Sequence, residues 1–401
     1  MVSLKEAWEL IETRVTPPPP QPVLLKEAWG CALAEDVQAD VDVPGSASSL
    51  VDGVALRLSD LTGAGVWTIP LAGRLGEETL PSRRAARIGN QASLPQGADV
   101  VIPEEQVEFR GECVIIRERP RPGQFVRQRG AEVKRGELIH RRGTILKPAD
   151  LGGLAATGRA RALVHPRPRI ALISIGESLA APGEPLQPGQ KYSVNDVTLP
   201  ALLSRDHLTD VTLMPTISQE GSRAADEMRA ALEKAIAVHP LTITNGGVSG
   251  GEDDLIMQAA RDLNGEVIFQ RVAVKPTNTS LLIRFGAESQ PAWLLALPGN
   301  PLGVVTGHFL FARRIVARLM GMSYQPLQSI AYLAGGLTLG GDALKVVGVR
   351  LAQGGRGPIV EPSARPDPLH ARSISAIDGF IYIPEGDQRL EAGAKITVDW
   401  L

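Results

Sequence analysis

Cysteine is scarce in this chain: there are two in 401 residues, Cys31 and Cys113, far apart and in no metal-type spacing. A disulfide scaffold is thereby excluded, and free thiols fit a reducing compartment. The six histidines are scattered, with no His-x-His or His-Glu-x-x-His, so no zinc centre is expected. No sign of charge dominates. With 42 Lys and Arg against 44 Asp and Glu, no basic face advertises nucleic acid, and any anion site must be local. The segment MVSLKEAWELIETR carries charges every few residues and has no apolar h-region, so it does not read as a signal peptide. The longest uncharged run, SQPAWLLALPGNPLGVVTGHFLFA, is interrupted by Pro298-Gly299-Asn300-Pro301. It reads as a buried strand, a turn and a buried helix, not a membrane span. A cytoplasmic, soluble protein without nucleic-acid or membrane partners is expected.

At roughly 150 residues per domain the length allows two to four domains. Ser3 and Glu6 form a capping box, and Leu4, Ala7, Trp8 and Ile11 line one helical face. PPPPQP at 17–22 ends that helix. Residues 41–144 show short β-like runs (GVALRL, GVWTIP, DVVIP, CVIIRER) between Gly and Pro turns, an inserted β-rich domain. Residues 1–40 and 145–166 form an N-terminal linker and helical domain, with a helix in ILKPADLGGLAATG. From 167 to 324 strands and helices alternate, which implies a doubly wound, mostly parallel sheet. Residues 325–401 are β-like and Gly-rich, a small barrel or sandwich.

Four turns in the α/β region carry unusual residues: SIGES, NGGVSGGEDD, KPTNTS and PGNP. In such sheets ligands lie beyond the carboxyl ends of the strands. Gly246, Gly247, Gly250 and Gly251 let backbone approach a ligand, and the following helix offers free N–H groups. Glu252, Asp253 and Asp254 either cap that helix or hold a divalent cation. Lys275 is either a solvated lysine or a site cation. PGNP is either a rigid turn or part of the same rim. Taken together the turns suggest an anionic, phosphate-bearing ligand with Mg²⁺, provided all four project from one edge. For RVAV and SLLIRF that is less secure, since a short turn joins them and they can be antiparallel. Trp8, Trp29 and Trp67 read as packing residues. Arg127, Arg129, Arg141 and Arg142 read as a solvated rim or as a cleft facing a partner subunit. His370 and Arg372, in the 362–375 loop, have no assigned role.

The order of motifs resembles the molybdopterin molybdenumtransferases, the MoeA family that includes the gephyrin E domain. SSLVDGVALR is similar to S-A-M-D-G-Y-A-V-R, and RIGNQASLPQGADVVIPEEQ to R-I-x-T-G-A-x-x-P-x-G-A-D-A-V-V-x-x-E. VRQRGAEVKRGE, ALISIGESL, TNGGVSGGEDD, VKPTN, LPGNP and PEGDQRLEAGAKITV resemble further segments in the family's order. The resemblance covers nearly the whole chain and implies a central sheet of the MoaB/MogA kind. It further implies insertion of molybdate into adenylylated molybdopterin with release of AMP, Mg²⁺ as cofactor, and a homodimer with the adenylyltransferase as a possible partner. Carried over by position, Asp52, Asp254 and Lys275 would be catalytic. Gly246, Gly247, Ser249, Pro298, Gly299, Asn300 and Pro301 would bind substrate, and Glu177 and Asp254 would hold the metal.

The chain departs from the pattern at several places. Asn90 and Ile175 replace threonines, Glu177 an aspartate, Ser178 a glutamate and Asn278 a lysine. Thr277 and Thr279 replace a glycine and a proline, Gly303 a serine and Val54 a tyrosine. Three readings follow: an active molybdenumtransferase with a modified site, a catalytically impaired paralogue that binds molybdopterin as a carrier or scaffold, or an altered reaction on another phosphate-bearing substrate. Molybdate and tungstate are not distinguished by the sequence.

Overall fold

The computed structural model describes residues 1–401 apart from 77, 177–178, 206–208, 219–222, 249–253, 353–356, 364–373 and 376. The chain divides into two units. Residues 22–29 and 35–162 form one, and residues 1–21, 30–34 and 163–401 form the other.

In the smaller unit six strands form a sheet: β1 (Gly53–Leu56), β2 (Trp67–Arg74), β3 (Ala85–Ile88), β4 (Val100–Pro103), β5 (Val107–Arg110) and β6 (Cys113–Ile116). Their order is β4-β1-β3-β2-β6-β5, and every pairing is antiparallel except β2 with β3. Val54, Leu56, Ile69, Val100, Ile102, Val114 and Ile116 fill its core. Val54, where the resemblance has tyrosine, is one of these buried residues.

The larger unit begins with α1 (Leu4–Arg14). The Ser3 hydroxyl accepts from the Glu6 N–H at 3.1 Å, and the Glu6 carboxylate accepts from the Ser3 N–H at 2.7 Å. Trp8 packs as expected, its indole N–H donating to the Leu310 carbonyl at 3.0 Å. In the smaller unit the Trp67 indole N–H donates to the Thr62 carbonyl, whereas Trp29 is 39% exposed.

The central sheet is built from β7 (Arg169–Ser174), β8 (Asp210–Leu213), β9 (Leu241–Asn245), β10 (Glu266–Gln270), β12 (Leu281–Phe285) and β13 (Ala292–Leu297). The smaller unit holds α2 (Pro148–Ala156), the helix expected in ILKPADLGGLAATG, and the helices between these strands are α3 (Asn195–Ser204), α4 (Ala224–Val238) and α5 (Leu255–Asp262). The order is β8-β7-β9-β13-β12-β10. The first four strands are parallel, and β12 and β10 are antiparallel to their neighbours. Alternate residues of β7 point to opposite cores. Ile170 and Leu172 join a cluster with α1 and α3, while Ala171 and Ile173 join one with α4 and α5. Both faces are covered, which is why these strands read as continuous apolar runs. The buried helix expected after the PGNP turn is realised as α6 (Pro301–Gly307), a π turn over His308–Ala312 and α7 (Arg313–Leu319).

The apolar run GEVIFQRVAV does not form a single strand. Arg271 has φ 61, and the chain resumes as β11 (Val274–Lys275) in a different sheet. That sheet contains β14 (Gln328–Leu333), β15 (Leu344–Ala352), β16 (Ile359–Pro362), β17 (Gly379–Ile383) and β18 (Lys395–Trp400). Pairing runs β15-β16-β14-β18-β17 and back to β15, so five strands close into a barrel, with β11 alongside β15. Closure leaves these five strands without a free edge. Among the described residues no helix is long and apolar enough to cross a membrane.

Candidate functional site

The chain passes from β7 to β8 on one side and then to β9 on the other side of β7. Successive connections therefore leave in opposite directions, and a crevice opens at the carboxyl ends of β7 and β9, the ligand position of doubly wound sheets. Polar groups gather there. All five residues of β9 are buried, and its last is Asn245. A buried amide must find partners. Asn245 Nδ2 donates to Ser174 Oγ at the end of β7 (2.7 Å), and Asn245 Oδ1 accepts from Asn195 Nδ2 (2.9 Å). Asn195 Nδ2 also donates to the Gly299 carbonyl beyond β13 (2.9 Å). The Ser174 and Ser193 hydroxyls both donate to the Asp196 carboxylate. Three strand ends and the start of α3 are thus joined by one hydrogen-bond network. Ser174, Asn245 and Gly299 sit in the recognised motifs, whereas Ser193, Asn195 and Asp196 do not, and nothing in the sequence joined the two groups.

The glycines carry their expected burden. Gly246 has φ 85, and a Cβ there would lie 2.0 Å from the Ile175 carbonyl oxygen. Gly247 has φ 70, and a Cβ would lie 2.9 Å from Ile175 Cδ1. A side chain at either position would be strained, and the two glycines let this turn pack closely over Ile175. Ile175, where the resemblance has threonine, is a core residue packed beneath these glycines. Gly299 lies next to Gly246: a Cβ on it would sit 3.2 Å from Gly246 Cα. The Gly246 N–H donates to the Leu297 carbonyl at 3.0 Å. Asn300 caps α6, its Oδ1 accepting from the Gly303 N–H at 2.6 Å, with Pro301 at the first helical position. Gly303, in place of serine, has no room for a side chain, since a Cβ would lie 2.6 Å from Pro298 Cγ. Gly246, Gly247 and Pro298–Pro301 are therefore brought together.

Asp254 is the N-cap residue of α5, and its carbonyl accepts from the Gln258 N–H at 3.0 Å. Glu177, Ser178 and Ser249, like Gly250, Gly251, Glu252 and Asp253, lie outside the described residues. So do His370 and Arg372. Among the described residues no group of three or more His, Cys, Asp or Glu is placed to hold a metal.

Lys275 departs from the expected arrangement. It does not follow a strand of the central sheet but ends β11, paired with the barrel. Its Nζ lies 2.8 Å from Asp342 Oδ1, and that hydrogen bond holds the exposed Asp342 carboxyl below its ordinary value. The turn that follows packs against α6. Thr277 is buried, bonds to Ser280 at 2.8 Å, and its Oγ1 would lie 3.0 Å from a Cβ at Gly307.

Asp52 belongs to the smaller unit. Its Oδ1 accepts from the Asn90 N–H at 2.9 Å, and its carbonyl accepts from the Glu104 N–H at 3.2 Å. Two of the recognised motifs meet here. The Asn90 side chain plays no part in the contact, so exchange of threonine for asparagine leaves it intact. Arg127 pairs with Glu132, and Arg129 with Asp42 at 2.6 Å, so both are engaged within their own unit.

A doubly wound domain with a glycine-lined polar crevice, followed by a closed barrel and accompanied by a separate β-rich unit, defines a multidomain α/β protein of the switch-point type. The comparisons make this particular. Residues 2–158 match the MoeA N-terminal region (domain I and II), and residues 171–317 match a probable molybdopterin binding domain. The molybdopterin molybdenumtransferase of Haemophilus influenzae is 33% identical over 80% of this chain and 78% of its own length. Molybdopterin molybdenumtransferase 2 of Mycobacterium tuberculosis is 30% identical over 99% of both chains. A crystal structure of the molybdopterin biosynthesis MoeA protein from Pyrococcus horikosii superposes with a TM-score of 0.83 at 25% identity, covering 100% of this chain and 99% of that one. The chain belongs to the molybdopterin molybdenumtransferase family, among the proteins of molybdenum cofactor biosynthesis.

Proposed function

We propose that the protein inserts molybdate into adenylylated molybdopterin and releases AMP. The observation that carries this reading is the switch point itself: Gly246, Gly247 and Gly299 let two turns pack closely at the carboxyl ends of the central strands, the position at which doubly wound sheets take a phosphate-bearing ligand. Gly246, Gly247, Ser249 and Pro298–Pro301 would bind the substrate. Lys275 would bind an oxyanion, and Asp52 would orient a reacting group or water. Asp254 and Glu177 would hold Mg²⁺, a set of two carboxylates that fits an ion usually completed by substrate phosphates and water. When bound, the ion supplies charge neutralisation at the phosphoanhydride. The chain's own residues position the anhydride and keep the oxyanion in place.

The four-part division at residues 40, 144, 166 and 324, a homodimer, a cytoplasmic location and contact with the adenylyltransferase belong to the same reading. The test is AMP release from adenylylated molybdopterin with molybdate and Mg²⁺. Lys275→Ala should lower the rate at least about 100-fold, the usual scale for a lost oxyanion contact. Equal AMP release by the two proteins would remove Lys275 from the site.

The second reading, a carrier or scaffold without turnover, has two observations in its favour. Lys275 is already paired with Asp342, and Asn278 stands where the resemblance has a second lysine. It predicts that molybdopterin binds and no AMP appears.

A further inference from the structure

Arg313 and Arg314 open α7, and both are half-buried. Their guanidinium groups are held by rings. Arg314 lies 4.0 Å from the centre of the Trp8 ring and 4.8 Å from that of Tyr324. Arg313 lies 5.2 Å from Tyr324 and 5.4 Å from Phe309. Rings and cations thus alternate between α1 and the π turn. Stacking satisfies the face of a guanidinium and leaves its N–H edge unfilled. Among the described residues neither arginine makes a hydrogen bond or an ion pair. The neighbouring acids are spent elsewhere. Glu12 pairs with Arg318 at 3.6 Å, and Asp399 accepts from Gln328 at 2.6 Å and from Tyr382 at 2.8 Å.

Two positive charges side by side and partly out of water repel each other when no acid answers them. An anion would remove that cost. Only Nη1 of Arg313 and Nε of Arg314 are closed to solvent and unpartnered, so the other N–H groups of both side chains can be reached from outside. They offer a pair of N–H forks, which oxyanions fill. Two unanswered cations call for a dianion. The position is separate from the switch point. The helix α6, the π turn and α7 follow without a break, and Arg313 stands about 20 Å along them from Asn300, at 1.5 Å per residue. We propose that Arg313 and Arg314 form a second anion site, for a small tetrahedral dianion such as phosphate, sulfate or molybdate. The site does not depend on the reaction proposed above.

The experiment titrates the full chain with inorganic phosphate at constant ionic strength and follows the arginine Nε–H signals by NMR. The signals of Arg313 and Arg314 are assigned by their disappearance in Arg313→Gln and Arg314→Gln, so they report this site alone. Phosphate should shift both signals with one dissociation constant. Arg313→Gln should weaken the binding seen at Arg314 by about 10-fold or more, the scale for a lost hydrogen bond to a charged group, and Arg314→Gln should do the same at Arg313. Arg314→Lys keeps the charge and loses the fork, so it should fall between Arg314→Gln and the wild type. Lys275→Ala should leave the shifts unchanged, and AMP release by Arg314→Gln should stay within about twofold of the wild type. Shifts that sodium chloride reproduces, or an Arg314 signal whose dissociation constant ignores Arg313→Gln, overturn the proposal. So does phosphate-insensitive Arg314 in a protein that Arg314→Glu converts from dimer to monomer, since the pair then faces a second copy. Loss of AMP release in Arg314→Gln overturns the separation from the switch point.

Discussion

Every residue of β9 in the central sheet is buried, whereas along β14 of the barrel Gln328, Ser329, Ile330 and Tyr332 are exposed and only Ala331 and Leu333 face the core. The two regions handle polar groups accordingly. The central sheet ends in neutral amides and hydroxyls tied to one another and to Asp196. The barrel and its flanking strand carry exposed ion pairs such as Lys275–Asp342 at 2.8 Å and Arg350–Glu361 at 3.0 Å. A network closed to water fixes geometry, because each group it leaves unpaired is expensive. Exposed pairs are screened and add little. The crevice is therefore the rigid part of the candidate site, and Lys275 the adjustable part.

The comparison is tested most severely by glycine. Gly246→Ala must push a methyl group into the Ile175 carbonyl at φ 85, and should cost about 3 kcal/mol or more. Gly393→Ala in the barrel has a similar φ of 81 but open space around it, and should cost about 1–2 kcal/mol. Urea unfolding of the two variants measures the difference, and equal losses would break the contrast.

A pH-dependent effect of comparable size comes from His308, in the π turn packed beside the central sheet. Burial, with Arg313 and Arg205 adding to it, pulls its pKa from 6.5 down to about 3. The folded protein therefore holds it neutral, while the unfolded chain takes up a proton below pH 6.5. Its stabilising contribution is complete above 6.5 and is lost as pH falls toward 3, at up to about 1.4 kcal/mol per pH unit. Urea midpoints between pH 7 and pH 4 should slope less in His308→Gln than in the wild type.

The smallest effect is expected at Asp342. Its folded value is depressed, so the Lys275 contact stabilises above pH 3.8 and disappears as pH falls through that lower value. Carboxyl carbon NMR should show Asp342 titrating higher in Lys275→Ala, and salt should narrow the gap.

Much of the architecture was legible because it follows from local pattern. The apolar runs at 169–174, 241–245 and 292–297, alternating with helical periodicity at 224–238, define a doubly wound sheet whichever way it is inspected. The Asn300–Pro301 start of α6 and the Ser3–Glu6 box were equally plain, since caps are contacts within three residues. The break at Arg271 was not. No glycine or proline marks it, and only a left-handed φ at a non-glycine residue sends β11 to the barrel. The link between Asn195 and Asn245 escaped for a related reason: they lie 50 residues apart, and neither has meaning without the other.

The sequence by itself determined the alternation of elements, the family and the places where backbone must come close, because periodicity, capping and glycine act over a few residues. Only the tertiary structure decided that β7 and β9 meet at the switch point, that Asn195 is held there with one acceptor unspent, and that Lys275 answers to the barrel. Those outcomes depend on which strands pair, and pairing brings together residues whose separation along the chain says nothing of their distance in space.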